Sequence, residues 1–152
     1  MSRKFHLQPL LDLAGYKSES RGSELIQLRS RLSTVEEKLK QLEDYRKDYT
    51  SGLSDRLQQG MDAARLREYH VFLANLDQAI VSQKEEVGRW TMAWDAARVK
   101  WEEARREHKA FDVLSVRHQV AEAKREARVE QKEHDDLTAT RPGIRDLINP
   151  RK

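Results

Sequence analysis

The sequence contains no cysteine. A disulfide framework and a thiolate metal site are both excluded, which fits a reducing compartment. Proline and glycine are scarce, three and six among 152 residues, so few helix breakers interrupt the chain. Aromatic residues make up 7% and hydrophobic residues as a whole only 38%. Charged residues reach 36%, against about 25% in an ordinary globular domain. Such a chain lacks the apolar material for a thick core and suits long helices that bury a narrow seam. No apolar run approaches the roughly 20 residues that cross a bilayer. In the leading MSRKFHLQPLLDLAG, residues Gln8, Pro9 and Asp12 break up any signal-peptide core. A cytoplasmic protein is expected.

Catalytic signatures are missing as well. There is no Gly-rich phosphate loop, no HExxH and no strand that could carry a nucleophile elbow. His108 with Asp112, and His118 with Glu122, have the i,i+4 spacing of a metal pair, but neither has a third ligand in reach of the pattern. His108 falls at a seam position beside Ala104 and Phe111. No catalytic residue, cofactor or metal is assigned, and the chain is expected not to be an enzyme.

What the sequence does have is one long periodic stretch. Leu66, Tyr69, Leu73, Leu76, Ile80, Gln83, Val87, Trp90, Trp94, Ala97, Trp101, Ala104, His108 and Phe111 follow one another at alternating spacings of three and four. Only Gln83 and His108 depart from apolar or aromatic character, no proline intervenes, and Gly88 falls off the stripe. A repeat averaging about 3.5 residues keeps one stripe facing a partner helix as both supercoil. The three tryptophans share that spacing, which assigns them to the seam rather than to a base-stacking platform.

The partner comes from earlier in the chain. Residues 1–9 lead in, with Pro9 acceptable just inside a helix start. The first helix, about 10–57, carries the seam Leu11, Ala14, Ser18, Arg21, Leu25, Leu28, Leu32, Val35, Leu39, Leu42, Tyr49, Leu53 and Leu57. Arg46 occupies the slot before Tyr49, where a stutter is expected to loosen the repeat, with Tyr45 flanking it. The break is the turn 58–62, where Gly60 can close one helix and Asp62 can cap the next. So short a turn makes the two helices antiparallel. Trp101 then comes near Ser18 and Arg21. The fold class is all-α: a single domain over 1–152, built as a long antiparallel two-helix coiled coil.

The two arms differ in length. The second helix, about 63–138, spans roughly 115 Å against roughly 70 Å for the first, at about 1.5 Å per residue. It is expected to overhang past Phe111. In the overhang Arg117, Lys124, Arg128 and Lys132 lie to one side and Glu122, Glu126, Glu130 and Glu133 to the other. Faces sorted by sign suggest a partner of complementary charge. Pro142-Gly143 ends the helix, leaving a flexible tail (139–152) with a small amphipathic turn at Ile144, Leu147 and Ile148. Net charge is +3, from 29 basic and 26 acidic side chains. That balance reads as solvated helix faces and assigns no nucleic-acid partner. One further stripe, Phe72, Leu76, Ala79 and Gln83, runs partly beside the seam. Phe72 and Ala79 are expected to be partly exposed, a surface that docks in another protein.

Three stretches carry a family resemblance: FHLQPLLDLA at the start, LEDYRKDY before the turn, and YHVFLANLDQAIVSQKEEVGRW after it. In this order they resemble the FliJ family of flagellar type III export proteins, over almost the whole chain. The resemblance implies a two-helix coil similar to the γ stalk of rotary ATPases, and a non-enzymatic part in the export apparatus. Its implied partners are the export ATPase (FliI type) with its regulator (FliH type), the cytoplasmic domain of the export gate (FlhA type), and export chaperones. Association with the inner membrane at the flagellar base would be peripheral, through the apparatus. Phe72, Leu76, Ala79 and Gln83 fall on the family's gate-contacting stretch. Arg117, Lys124 and Arg128 are the residues assigned to the ATPase ring. Two other readings stay open: the equivalent stalk of a virulence secretion system, and a basic coiled coil that binds nucleic acid.

Overall fold

The structure is a computed structural model, and it describes residues 2–139. Two helices, α1 (Gln8–Gln59) and α2 (Ala63–Ala139), pack against each other as a helical hairpin. The expected tail with Ile144, Leu147 and Ile148, and its Pro142-Gly143 stop, lie outside the described residues. Within the hairpin two compact units form among the described residues, one from Lys17 to Ala104, the other from 2–16 together with 105–139.

Local chemistry fixes the ends of the helices. Pro9 sits in the first turn of α1, where its missing N–H costs nothing. The Gln8 N–H donates to the Phe5 carbonyl at 3.1 Å and the Leu11 N–H to that of Leu7 at 2.9 Å. At the other end Gly60 takes a left-handed φ of 92°, with its N–H toward the Leu57 carbonyl at 3.3 Å. Asp62 then caps α2, its carboxylate reaching the Ala64 N–H at 3.4 Å.

In the unit Lys17–Ala104 the seam is occupied as its spacing predicts, except at its turn end, where Leu57 is 48% exposed. Leu32, Leu53, Leu76, Ile80, Ala97 and Ala104 are buried, and the other seam positions of α2 from Leu66 onward are buried or half-buried. The core is thin, with no large side chain fully enclosed among the described residues. Arg46 does not break the phase. Residues Leu42, Arg46, Tyr49 and Leu53 are spaced four, three and four, all turned inward, and the Arg46 guanidinium reaches across to Asp77. A long aliphatic stem can line a seam while its charged head finds solvent or a partner, so the expected stutter is absent. The indole of Trp101 lies against Gly22, in the turn of α1 that also carries the expected neighbours Ser18 and Arg21. A Cβ at Gly22 would meet Trp101 Nε1 at 3.3 Å. Arg29 lies over Trp94 at 5.6 Å and Arg31 over Trp90 at 5.1 Å, covering the outer faces of both rings.

The other unit corrects where the overhang begins. The seam continues past Phe111 with polar residues at the same spacing, Ser115, His118, Glu122 and Arg125, all buried or half-buried. Ala14 is buried, and the His108 ring lies against Gly15, with Nε2 at 3.1 Å from where a Cβ would stand. The leading segment covers the next turns of α2. Phe5 packs on His118 with ring centres 5.4 Å apart. The His118 ring bonds the Arg3 carbonyl through Nε2 at 2.8 Å, and the Arg3 N–H donates to Glu122 at 3.0 Å.

Candidate functional site

Four rings gather beside the turn, two from each helix. Tyr49 of α1 lies 4.5 Å from Phe72 and 4.8 Å from Tyr69, ring centre to ring centre. Tyr45 meets the edge of Phe72 at 6.0 Å and leans on Tyr49 at 6.3 Å. Tyr49 and Tyr69 hold seam positions, whereas Tyr45 and Phe72 stand one step outward on each side and remain exposed. Burial among these rings pushes the Tyr49 phenol up from its ordinary value, with Tyr69 and Tyr45 adding to the effect. Offset and edge contacts of this kind fix ring orientation as well as burying area. Phe72 is thus held in place from below while 37% of it faces outward.

The residues of the predicted stripe divide into two pairs. Phe72 and Ala79 are exposed. Leu76, at 7% exposure, and Gln83, at 8%, belong to the seam. Gln83 donates its amide to the Val35 carbonyl at 2.9 Å. The surface a partner could touch here is therefore Phe72 with Tyr45 and Ala79. Tyr45 was outside the predicted stripe, since its approach to Phe72 depends on the register between the helices. Next to it runs an open groove lined by Arg46, Thr50, Ser54, Asp77, Ile80 and Lys84. The Asp77 carboxyl is held below the usual carboxylate range by the hydrogen bond from Arg46.

The residues assigned to a ring partner, Arg117, Lys124 and Arg128, are exposed on α2. Glu122, placed by its sequence on the acidic face of the overhang, instead serves the hairpin. It accepts from the Arg3 N–H and from Arg125 at 2.9 Å, and both bonds hold its carboxyl below the usual range, the first more strongly. The histidines of the two i,i+4 pairs are likewise drawn into packing, His108 on Gly15 and His118 on the leading segment, while Asp112 stays exposed. Among the described residues no group of three or more His, Asp or Glu side chains is placed to hold a metal ion. No helix among them is long and apolar enough to cross a membrane.

Fold and surface together define a coiled-coil hairpin, a class of protein whose recognition features lie along the outside of two helices. The family model for the flagellar FliJ protein matches residues 3–145. The flagellar FliJ protein of Escherichia coli (strain K12) is 30% identical over 131 residues, covering 86% of this chain and 89% of that protein. That of Salmonella typhi is 30% identical over 137 residues, covering 90% and 93%. The chain belongs to the FliJ family, and as a member it is a component of the flagellar export apparatus.

Proposed function

We propose that this protein is a non-enzymatic stalk of the flagellar type III export apparatus. It binds the export ATPase and promotes assembly of its ring, alongside the ATPase regulator, contacts the cytoplasmic domain of the export gate, and escorts export chaperones. It works at the cytoplasmic face of the inner membrane without entering it. The observation that carries this reading is family membership across nearly the whole chain, 3–145. The structure adds physical support. Within the unit Lys17–Ala104 the two helices are packed along one seam, the construction of a stiff two-stranded coil.

Phe72, with Ala79 and the ring of Tyr45 beside it, supplies the contact to the gate, because an oriented, half-exposed aromatic is the kind of anchor that fills a partner's pocket. Leu76 and Gln83 support that surface from the seam. Arg117, Lys124 and Arg128 supply the contact to the ATPase. The two named relatives are both flagellar proteins, which favours the flagellar apparatus over a virulence system.

The test is ATP hydrolysis by the purified cognate export ATPase with this protein titrated in, followed alongside by sizing of the ATPase. Saturable stimulation accompanied by ring formation is the expected result. An ATPase whose rate and size stay constant across the titration would overturn the stalk reading.

A further inference from the structure

On the side of α2 turned away from the seam, Val113, Val116, Val120, Ala123 and Ala127 repeat the alternating spacing of a coiled-coil stripe. All five are exposed, Val116 at 51% and Val120 at 50%. The hairpin does not cover them. At about 100° per residue, its seam residues Phe111, Ser115 and His118 centre on the opposite side of the helix, roughly 150° from the middle of the stripe.

The flanks of this stripe are sorted by sign. With Val113 and Val120 at the a positions and Val116 and Ala123 at d, the e positions are Arg117 and Lys124. The preceding g positions are Asp112, Gln119 and Glu126. In a parallel pair each g residue meets the following e residue of the partner helix. Two copies would then set Asp112 against Arg117 and Gln119 against Lys124. In an antiparallel pair e meets e and g meets g, which brings like charges together. The stripe is thus complementary to itself in one orientation only.

We propose that this face of α2 pairs in parallel with the same face of a second copy of this chain. Two heptads, alanine among them, bury little area, so the pairing is weak and set by concentration. A paired copy covers Arg117 and Lys124. The pairing itself does not rest on any role of those residues toward an ATPase.

Sedimentation equilibrium of the full chain, at low salt and over rising concentration, tests the proposal, with far-UV circular dichroism to follow folding. The mass should climb from one chain toward two. Val116→Lys combined with Val120→Lys should hold it at one chain with helicity intact. Asp112→Arg and Arg117→Asp should each weaken self-association about tenfold, and a mixture of the two variants should associate again, because position 112 of each copy then faces an opposite charge at 117 of the other. A wild-type mass of one chain throughout overturns the proposal and leaves the stripe to a helix from a different protein. Association that survives the valine changes, or that is not recovered on mixing, overturns the parallel pairing.

Discussion

Gln83 holds a place where the heptad asks for an apolar side chain, and it spends its amide on the Val35 carbonyl. That carbonyl sits inside α1, where helix geometry already gives it an N–H, so the amide is an additional donor. Polar residues at single seam positions fix register at a cost in stability. Gln83→Leu should therefore raise stability by about 1 kcal/mol, read from the midpoint of urea denaturation. A lower midpoint would mean that the amide contributes more to this layer than a leucine can. The Arg46–Asp77 pair behaves differently, since both side chains are about half exposed. A carboxylate whose folded pKa is depressed adds stability above its unfolded value, about 3.9 for Asp, and loses it as pH falls through the folded one. Asp77→Asn should thus be slightly less stable than the parent at neutral pH, and the two should converge in acid. Urea curves taken across pH would refute this if the gap widened on acidification.

Helix ends and seams were legible in the sequence to different degrees. The turn was legible because glycine and aspartate are the residues its geometry needs. Gly60 has a φ of 92°, and a side chain there costs roughly 1–2 kcal/mol. Gly60→Ala should lower stability by about that much, measured by thermal unfolding. An unchanged melting temperature would mean that the turn relaxes into another form. The apolar seam was legible because its period is a property of the residues themselves. Where the seam turns polar, at Ser115, His118 and Glu122, the period continues but the hydrophobic signal that revealed it does not, so α2 looked uncovered beyond Phe111. The contacts that cover it are the Phe5 ring on His118 and, beside it, the N–H and carbonyl of Arg3, and backbone groups leave no mark in a side-chain pattern. Gly22 was equally silent, because its role under Trp101 depends on which residues the two helices set opposite each other. At the candidate site, Phe72 could be read as lying beside the seam. The Tyr45 edge and Tyr49 face that hold it needed the register.

At the scale of the whole molecule, the stalk reading asks one chain for two separable contacts, and the two assigned surfaces belong to different units. Phe72 lies in the unit Lys17–Ala104, Arg128 in the one that holds the leading segment. Each unit packs a seam of its own, so a change on the outer surface of one should leave the fold of the other intact. Phe72→Asp is the cleaner probe of the gate contact than Leu76→Asp, since Leu76 is core and a buried carboxylate would unfold the seam. Phe72→Asp should weaken binding of the gate's cytoplasmic domain at least about tenfold, roughly 1.4 kcal/mol, while helicity and ATPase stimulation persist. Arg128→Glu should do the reverse, lowering stimulation of the ATPase and sparing the gate. It also lies outside the e and g flanks of the valine stripe, so its effect is not confounded by self-pairing. Titration calorimetry against the gate domain and the hydrolysis assay, run on both variants, separate the outcomes. Loss of helicity in Phe72→Asp would assign Phe72 to packing on Tyr49 alone. Loss of both activities in either folded variant would mean that one surface serves both partners, and the division of labour between the units would fall.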